Sequence, residues 1–152
     1  HDVALLQIPT RENVSAVPLI NQVDDDNVSP GDHVVTLGFP ATSPERHVLS
    51  QDMGLNGKDK LEDVPTATLK SGAISKLSKS SKDEENWGVG KRDEYELGFE
   101  VSPGHSGGPL FNDKGKVVGI IYAERGATAI AVPIKYGRDL LHIRDADLKS
   151  SN

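Results

Sequence analysis

The sequence predicts a single all-β domain that ends in a short helix. Short apolar runs rich in Val, Ile and Leu alternate with Gly, Pro, Asn and Asp, a pattern typical of strands joined by turns. The chain has 152 residues, of which 36% are hydrophobic and 26% charged, which is enough for one globular core. Near the C-terminus, apolar residues after Gly137 follow a helical spacing that predicts an amphipathic helix: Leu140, Leu141, Ile143 and Leu148.

The strands can be assigned in chain order from these apolar runs. We expect them at residues 2–8, 33–39, 69–77, 98–102, 116–124 and 128–134. Residues 112–115, "NDKG", predict a hairpin turn in which Gly115 has a positive φ. The polar stretch 78–96 predicts a solvated loop. The acidic run 24–26 lacks the spacing of a calcium-binding loop and predicts a surface turn.

Composition excludes several classes of function. The net charge of -6 argues against nucleic-acid binding, which depends on clustered Lys and Arg. There is no cysteine, hence no disulfide, thiolate nucleophile or thiolate metal site. No apolar run approaches the ~20 residues of a membrane span. The chain starts at His1 without a signal peptide, which suggests a fragment, a processed chain or a trimmed portion of a longer protein.

The stretch "VSPGHSGGPLF", residues 101–111, holds the best candidate for chemistry, Ser106. A serine hydroxyl is a poor nucleophile unless a base removes its proton and N–H donors stabilise the oxyanion that develops on the attacked carbonyl. Gly104 permits a turn that points the N–H groups of residues 104 and 106 the same way. Gly107 and Gly108 leave space for a substrate. Taken alone, "SGG" also fits a plain loop.

A wider comparison of motifs favours the nucleophile. The stretch "GHSGGPLFNDKGKVVGI" resembles the nucleophile motif of the trypsin-like serine peptidases, particularly of the disulfide-free HtrA-like branch. "DVALLQI" resembles the strand that carries the family's catalytic aspartate, and "GDHVVTLGFP" the start of its second barrel. "SGAIS" and "AIAVPI" follow in the expected order. The resemblance implies a double β-barrel, of which residues 1–30 form the end of the first barrel with a linker, 31–136 the second barrel, and 137–152 the helix and tail.

The resemblance also implies roles for individual residues. Asp2 would orient a catalytic imidazole, Ser106 would attack the peptide carbonyl, and Gly104 with Ser106 would form the oxyanion hole. The family's general base precedes this aspartate, and none of the five histidines has the expected setting: His1, His33, His47, His105 and His142. We therefore expect a missing N-terminal segment or a complementary chain to carry the catalytic histidine.

Substrate contacts follow from the same resemblance. Glu100 would lie at the floor of the pocket for the residue before the cut and would favour Arg or Lys. Alternatively, Glu100 faces solvent and Val101 favours small apolar residues. Tyr122, Ala123 and Glu124 lie on the strand that would pair with substrate. Glu124 stands where the family usually has a small residue, so it would add negative charge or block the entrance.

Two functions remain open from the sequence. The first is a serine endopeptidase that forms an acyl-enzyme with a polypeptide substrate and uses no cofactor or metal. The second is a catalytically silent trypsin-like domain that binds polypeptides through an edge strand. The absence of cysteine leans towards a bacterial envelope or intracellular location.

Overall fold

A computed structural model of the chain shows a closed barrel of six strands, a separate two-stranded sheet and a C-terminal helix. The structure describes residues 3–7, 15–25, 27–40, 44–50, 60–79 and 93–150. The all-β prediction with a C-terminal helix is confirmed. In chain order the elements are α1 (Gln22–Asp25), β1 (His33–Gly38), β2 (Pro44–Ser50), β3 (Lys60–Pro65), β4 (Thr68–Ser78), β5 (Glu94–Leu97), β6 (Pro109–Asn112), β7 (Val117–Arg125), β8 (Thr128–Pro133) and α2 (Lys135–Ser150).

The barrel closes in the order β1, β4, β5, β8, β7, β6, and every pair of neighbours is antiparallel. β1 therefore has a strand on each side. Thr36 at its centre is opposite Lys70 on β4 and Leu110 on β6, and its buried hydroxyl donates to the carbonyl of Pro109 at 2.8 Å. These contacts hold the end of β1 beside the start of β6, where the candidate nucleophile lies.

The barrel interior is filled from all six of its strands. Alternate residues of a strand point to opposite faces, and each strand supplies the core from one face, while β8 is buried on both faces. The largest fully buried apolar side chains, each under 2% exposed, are Val34, Ile74, Leu97, Leu110, Val118, Ile121, Ile130 and Val132. Burial of each such side chain stabilises the fold by about 1.5–3 kcal/mol. The predicted turn at 112–115 is confirmed, with Gly115 at φ 68°.

Three sequence-based assignments are wrong. The strand expected at 98–102 lies earlier, at Glu94–Leu97, because Tyr95 and Leu97 point into the core and the chain then bends at Gly98, whose N–H bonds the carbonyl of Ala73. The expected loop 78–96 consequently ends in a strand, and its residues 80–92 lie outside the described part. Residues 3–7 belong to no strand. The sheet of β2 and β3 was not predicted, because its segments are mostly polar.

The acidic run is not a simple surface turn. Asp24 and Asp25 lie in the single helical turn of α1, whereas residue 26 is outside the described part. Asp25 is buried, and its carboxylate accepts hydrogen bonds from Arg138 on α2 at 2.9 Å and from the Tyr95 hydroxyl at 3.3 Å. Burial raises the pKa of the Tyr95 phenol well above its ordinary value, and the Asp25 charge raises it further. This cluster joins α1, β5 and α2.

Helix α2 begins at Lys135, two residues before the boundary expected from the sequence. Its first turn caps the barrel through Arg138, which also donates to the carbonyl of Ile20 at 2.6 Å. No helix within the described ranges is long and apolar enough to cross a bilayer.

Candidate active site

The candidate nucleophile lies on a pair of tight turns that lead into β6. The N–H of His105 donates to the carbonyl of Ser102 at 3.1 Å, and the N–H of Gly108 donates to the carbonyl of His105 at 2.8 Å. Between these two bonds the side chain of Ser106 is exposed. The turn therefore presents the hydroxyl to solvent on a backbone that is held on both sides.

Gly104 has a backbone conformation that other residues rarely adopt. Its φ is 107°, and a Cβ at this position would lie 2.4 Å from the carbonyl oxygen of Phe39. The carbonyl of Gly104 accepts a hydrogen bond from the N–H of Phe39 at 3.0 Å. Glycine is thus required both by its conformation and by the close approach of the chain that follows β1.

The turn leaves two particular N–H groups uncommitted. The N–H groups of His105, Gly107 and Gly108 donate to backbone carbonyls, that of Gly107 to Ile121 at 2.7 Å. By contrast, no acceptor among the described residues bonds the N–H of Gly104 or Ser106. Two uncommitted donors, one on the serine itself and one two residues before it, are what stabilisation of an oxyanion requires.

His105 and Ser106 are adjacent but point in opposite directions. The imidazole of His105 is completely buried, with its Nδ1 at 3.0 Å from the carbonyl oxygen of Ser102. No hydrogen bond joins the Ser106 hydroxyl to any described residue. His105 in this position is therefore not a base for Ser106.

β7 contacts the turn through the backbone of Ile121. Ile121 both accepts from Gly107 and donates to the carbonyl of Gly108 at 2.9 Å. β6 pairs with β7 only as far as Ile120. Beyond the bulge after Ile121, Ala123 and Glu124 pair with β8 and with no other described strand. One backbone edge of this part of β7 thus faces the turn without a described strand beside it.

The side chains expected to contact substrate differ in their surroundings. The Tyr122 hydroxyl donates to the carboxylate of Glu94 on β5, and this carboxylate also lies 3.6 Å from the Arg125 guanidinium. Ala123 is half-buried, whereas Glu124 is exposed.

Glu100 and Val101 precede the turn and face different environments. Glu100 is exposed, and Val101 is 7% exposed and belongs to the core. The carbonyl of the preceding residue, Phe99, accepts from the N–H of Ala129 at 3.0 Å, which ties this segment to β8.

The other members of a catalytic triad cannot be assembled from the described residues. Asp2 and His1 lie outside them, although the next residue, Val3, would be 3.9 Å from a Cβ placed on Gly137 of α2. His33, at the opposite end of β1, pairs with Asp113 at 3.0 Å. His142 is exposed on α2, and His47 lies in β2 with its side chain outside the described part. Among the described side chains, no group of three or more His, Cys, Asp or Glu could hold a metal ion.

Comparison with known proteins identifies the fold and the family. The family model of the trypsin-like peptidase domain matches residues 1–120. A putative serine protease HhoB of Synechocystis sp. is 27% identical over 146 residues, which cover 91% of this chain and 28% of the relative. A probable periplasmic serine endoprotease DegP-like of Rhizobium meliloti is 29% identical over 147 residues, 92% of this chain and 23% of the relative.

The fold is shared with solved structures as well. An HtrA-type protease, AlgW, solved with a decapeptide, superposes with a TM-score of 0.57 at 20% identity, over 86% of this chain and 33% of that one. The chain thus spans about a quarter of the length of the curated relatives and a third of this structure. On the match to the family model and these relatives, the chain belongs to the trypsin-like peptidase family, in its HtrA-like branch.

Proposed function

We propose that this chain is part of a serine endopeptidase that hydrolyses peptide bonds through an acyl-enzyme on Ser106. The observation that carries the proposal is the turn itself. It exposes the Ser106 hydroxyl beside the uncommitted N–H groups of Gly104 and Ser106. Both residues are exposed, so water can satisfy these donors until a substrate carbonyl oxygen takes its place.

The proposed chemistry follows from these groups. Oγ of Ser106 attacks the peptide carbonyl while an imidazole takes its proton, and the carbonyl oxygen becomes an oxyanion that accepts from the two N–H groups. The imidazole then protonates the leaving amine, which produces the acyl-enzyme. Water, activated by the same imidazole, hydrolyses the acyl-enzyme and restores Ser106. Asp2 would orient the imidazole and stabilise its charged form.

We assign the imidazole to a histidine outside these 152 residues, on a preceding segment or a complementary chain. The positions of two described histidines support this assignment. The His105 ring is buried below the turn, and His33 starts β1, about 17 Å along the strand from Gly38. A proton transfer requires a base within about 3 Å of the hydroxyl, or one water away.

The substrate we propose is an extended polypeptide that pairs with β7. Backbone N–H and C=O groups on a strand edge bind an extended chain by adding a strand, with little dependence on sequence. The edge at Ala123 and Glu124 lies next to the nucleophile turn because Ile121 bonds Gly107 and Gly108 directly. The structural relative solved with a decapeptide supports a peptide as the ligand class.

The test uses the complete protein, including the segment that precedes His1 here. A denatured protein substrate is incubated with wild type, Ser106→Ala and Ser102→Ala, and cleavage is followed by mass spectrometry. We expect cleavage by wild type and Ser102→Ala and none by Ser106→Ala, since only Ser106 is exposed between the donors. Ser102→Ala is the matched control, because it removes a hydroxyl from the same turn.

The second function, binding without cleavage, predicts a different result. The wild type would then retain the denatured polypeptide in a pull-down but release no fragments. Equal retention by Ser106→Ala would show that the hydroxyl has no role in this binding.

A further inference from the structure

His105 is an unusual buried group. Its side chain has no exposed surface, and within the described ranges its Nε2 is the one buried side-chain nitrogen or oxygen without a hydrogen-bond partner. Burial of an unsatisfied polar atom costs free energy, and an apolar residue would avoid this cost. The presence of a histidine here therefore suggests that its other ring nitrogen, Nδ1, makes an interaction that offsets this cost.

The contacts of Nδ1 define that interaction. Nδ1 lies 3.0 Å from the carbonyl oxygen of Ser102 and 3.4 Å from the backbone nitrogen of Ser102. The shorter contact favours the tautomer in which Nδ1 carries the proton and donates to this carbonyl. That tautomer leaves an unpaired lone pair on Nε2. The other tautomer would leave an unpaired N–H there, and unpaired buried N–H groups are rarer in proteins than unpaired acceptors. The side chain of His105 thus binds the same carbonyl as its own backbone N–H.

The ring also connects the turn to β1. A Cβ on Gly38 would lie 2.6 Å from Cγ and Cδ2 of the ring, so the absence of a side chain at Gly38 makes room for the imidazole. The next residue, Phe39, donates to the carbonyl of Gly104. The ring is therefore held between the end of β1 below and the carbonyl of Ser102, at the start of the turn.

We propose that His105 is a positioning residue, whose Nδ1–H fixes the turn so that the N–H groups of Gly104 and Ser106 face the substrate carbonyl. This inference rests on the proposed function. The 102–105 turn contains the peptide unit that ends in the Gly104 N–H, and rotation of this unit would move the donor. Anchoring the Ser102 carbonyl from two sides opposes that rotation.

Three substitutions in the complete protein separate the two ring nitrogens. His105→Asn places an amide N–H near the position of Nδ1, His105→Gln reaches towards the position of Nε2, and His105→Phe keeps a ring without a donor. For each variant, kcat and KM are measured on a peptide substrate, together with the rate at which a fluorophosphonate labels Ser106. The final extent of labelling gives the number of active sites. The rate of labelling depends on the same two N–H donors as peptide hydrolysis.

We expect His105→Phe and His105→Gln to lower kcat and the labelling rate by about 10- to 100-fold, with KM within about threefold. His105→Asn should keep kcat within about fivefold of wild type, because its amide replaces the Nδ1 donor. Equal losses in the Asn and Gln variants, or normal kcat per labelled site in all three, would overturn the proposal. If His105→Phe does not fold, the comparison of kcat between His105→Asn and His105→Gln still tests the role of Nδ1.

The two proposals fail in different ways. If wild type shows no cleavage that depends on Ser106, the proposed function fails before any His105 variant is made. If wild type is active and Ser106→Ala is not, the His105 series tests the positioning role alone.

Discussion

Replacement of Gly104 by alanine should sharply reduce turnover while the barrel stays folded. The added methyl group would lie 2.4 Å from the carbonyl oxygen of Phe39 and 2.8 Å from Cα of Pro40. Both contacts are with backbone atoms. The hydrogen bond from Phe39 to the Gly104 carbonyl joins the two segments, so neither can move without disturbing the other.

The size of the effect can be worked out from the conformation. A non-glycine residue held in such a sparsely populated backbone region costs about 1–3 kcal/mol, before any clash. The turn can relieve this strain by rotating the peptide units on either side of residue 104, which turns its N–H away from the substrate. Loss of one oxyanion donor lowers kcat by about 10²- to 10³-fold. The core of the barrel is not touched.

Steady-state hydrolysis of a fluorogenic peptide by the complete protein measures this effect. Gly126→Ala is the matched control, because Gly126 also has a positive φ, 62°, but a Cβ there meets no atom within 4 Å. We expect the control to keep kcat within about threefold of wild type. A kcat for Gly104→Ala within about fivefold of wild type, with thermal unfolding unchanged, would refute the role of this glycine.

Three further predictions concern stability, pH and specificity. Asp25→Ala should lower the free energy of unfolding by about 3–5 kcal/mol in urea titrations, because it leaves the mostly buried Arg138 guanidinium without its charged partner. Asp24→Ala is the control, at under about 1 kcal/mol, because the ion pair of Asp24 with Lys116 is more exposed to solvent. The raised pKa of Tyr95 should contribute stability that is complete below pH about 10 and is lost as the pH rises above it, since the phenolate forms more readily in the unfolded chain. Tyr95→Phe should therefore lose less free energy of unfolding than wild type when the pH is raised above about 10, and an equal loss in the two proteins would contradict this. Glu100→Gln should change cleavage-site preference by less than about threefold, because the carboxylate is exposed; a selective loss of cuts after Arg and Lys would instead put Glu100 in the pocket.

The parts of the structure that were predictable are those encoded by neighbouring residues. The strands β1, β4, β7 and β8 follow from apolar runs between turn residues, and Gly115 follows from "NDKG". The exposed Ser106 and the positive φ of Gly104 follow from the spacing of glycines around the serine. Each of these features depends on backbone preferences within a few residues, which the sequence displays directly.

The features that were missed depend on contacts between distant segments. Asp25 reads as a solvated acid, and only its contacts with Tyr95 and Arg138, 70 and 113 residues away, make it a buried anchor. β5 lies in a polar stretch because one of its faces is covered with charged side chains such as Glu96, which pairs with Lys76. Local composition cannot distinguish such a strand from a loop.

The candidate site combines both kinds of information. The local sequence is enough to expose a serine and to require a glycine two residues before it. If His105 positions the turn as proposed, the orientation of the two N–H groups also depends on Gly38, which lies in β1 and leaves the space that the His105 ring fills. On this proposal the GHSGG motif supplies the nucleophile and its two donors, and the end of β1 sets their orientation. For this reason a substitution at Gly38, far from Ser106 in the sequence, should resemble a substitution in the motif itself: Gly38→Ala would place a methyl group 2.6 Å from the His105 ring and 2.7 Å from its Cα, and should lower kcat in the fluorogenic peptide assay.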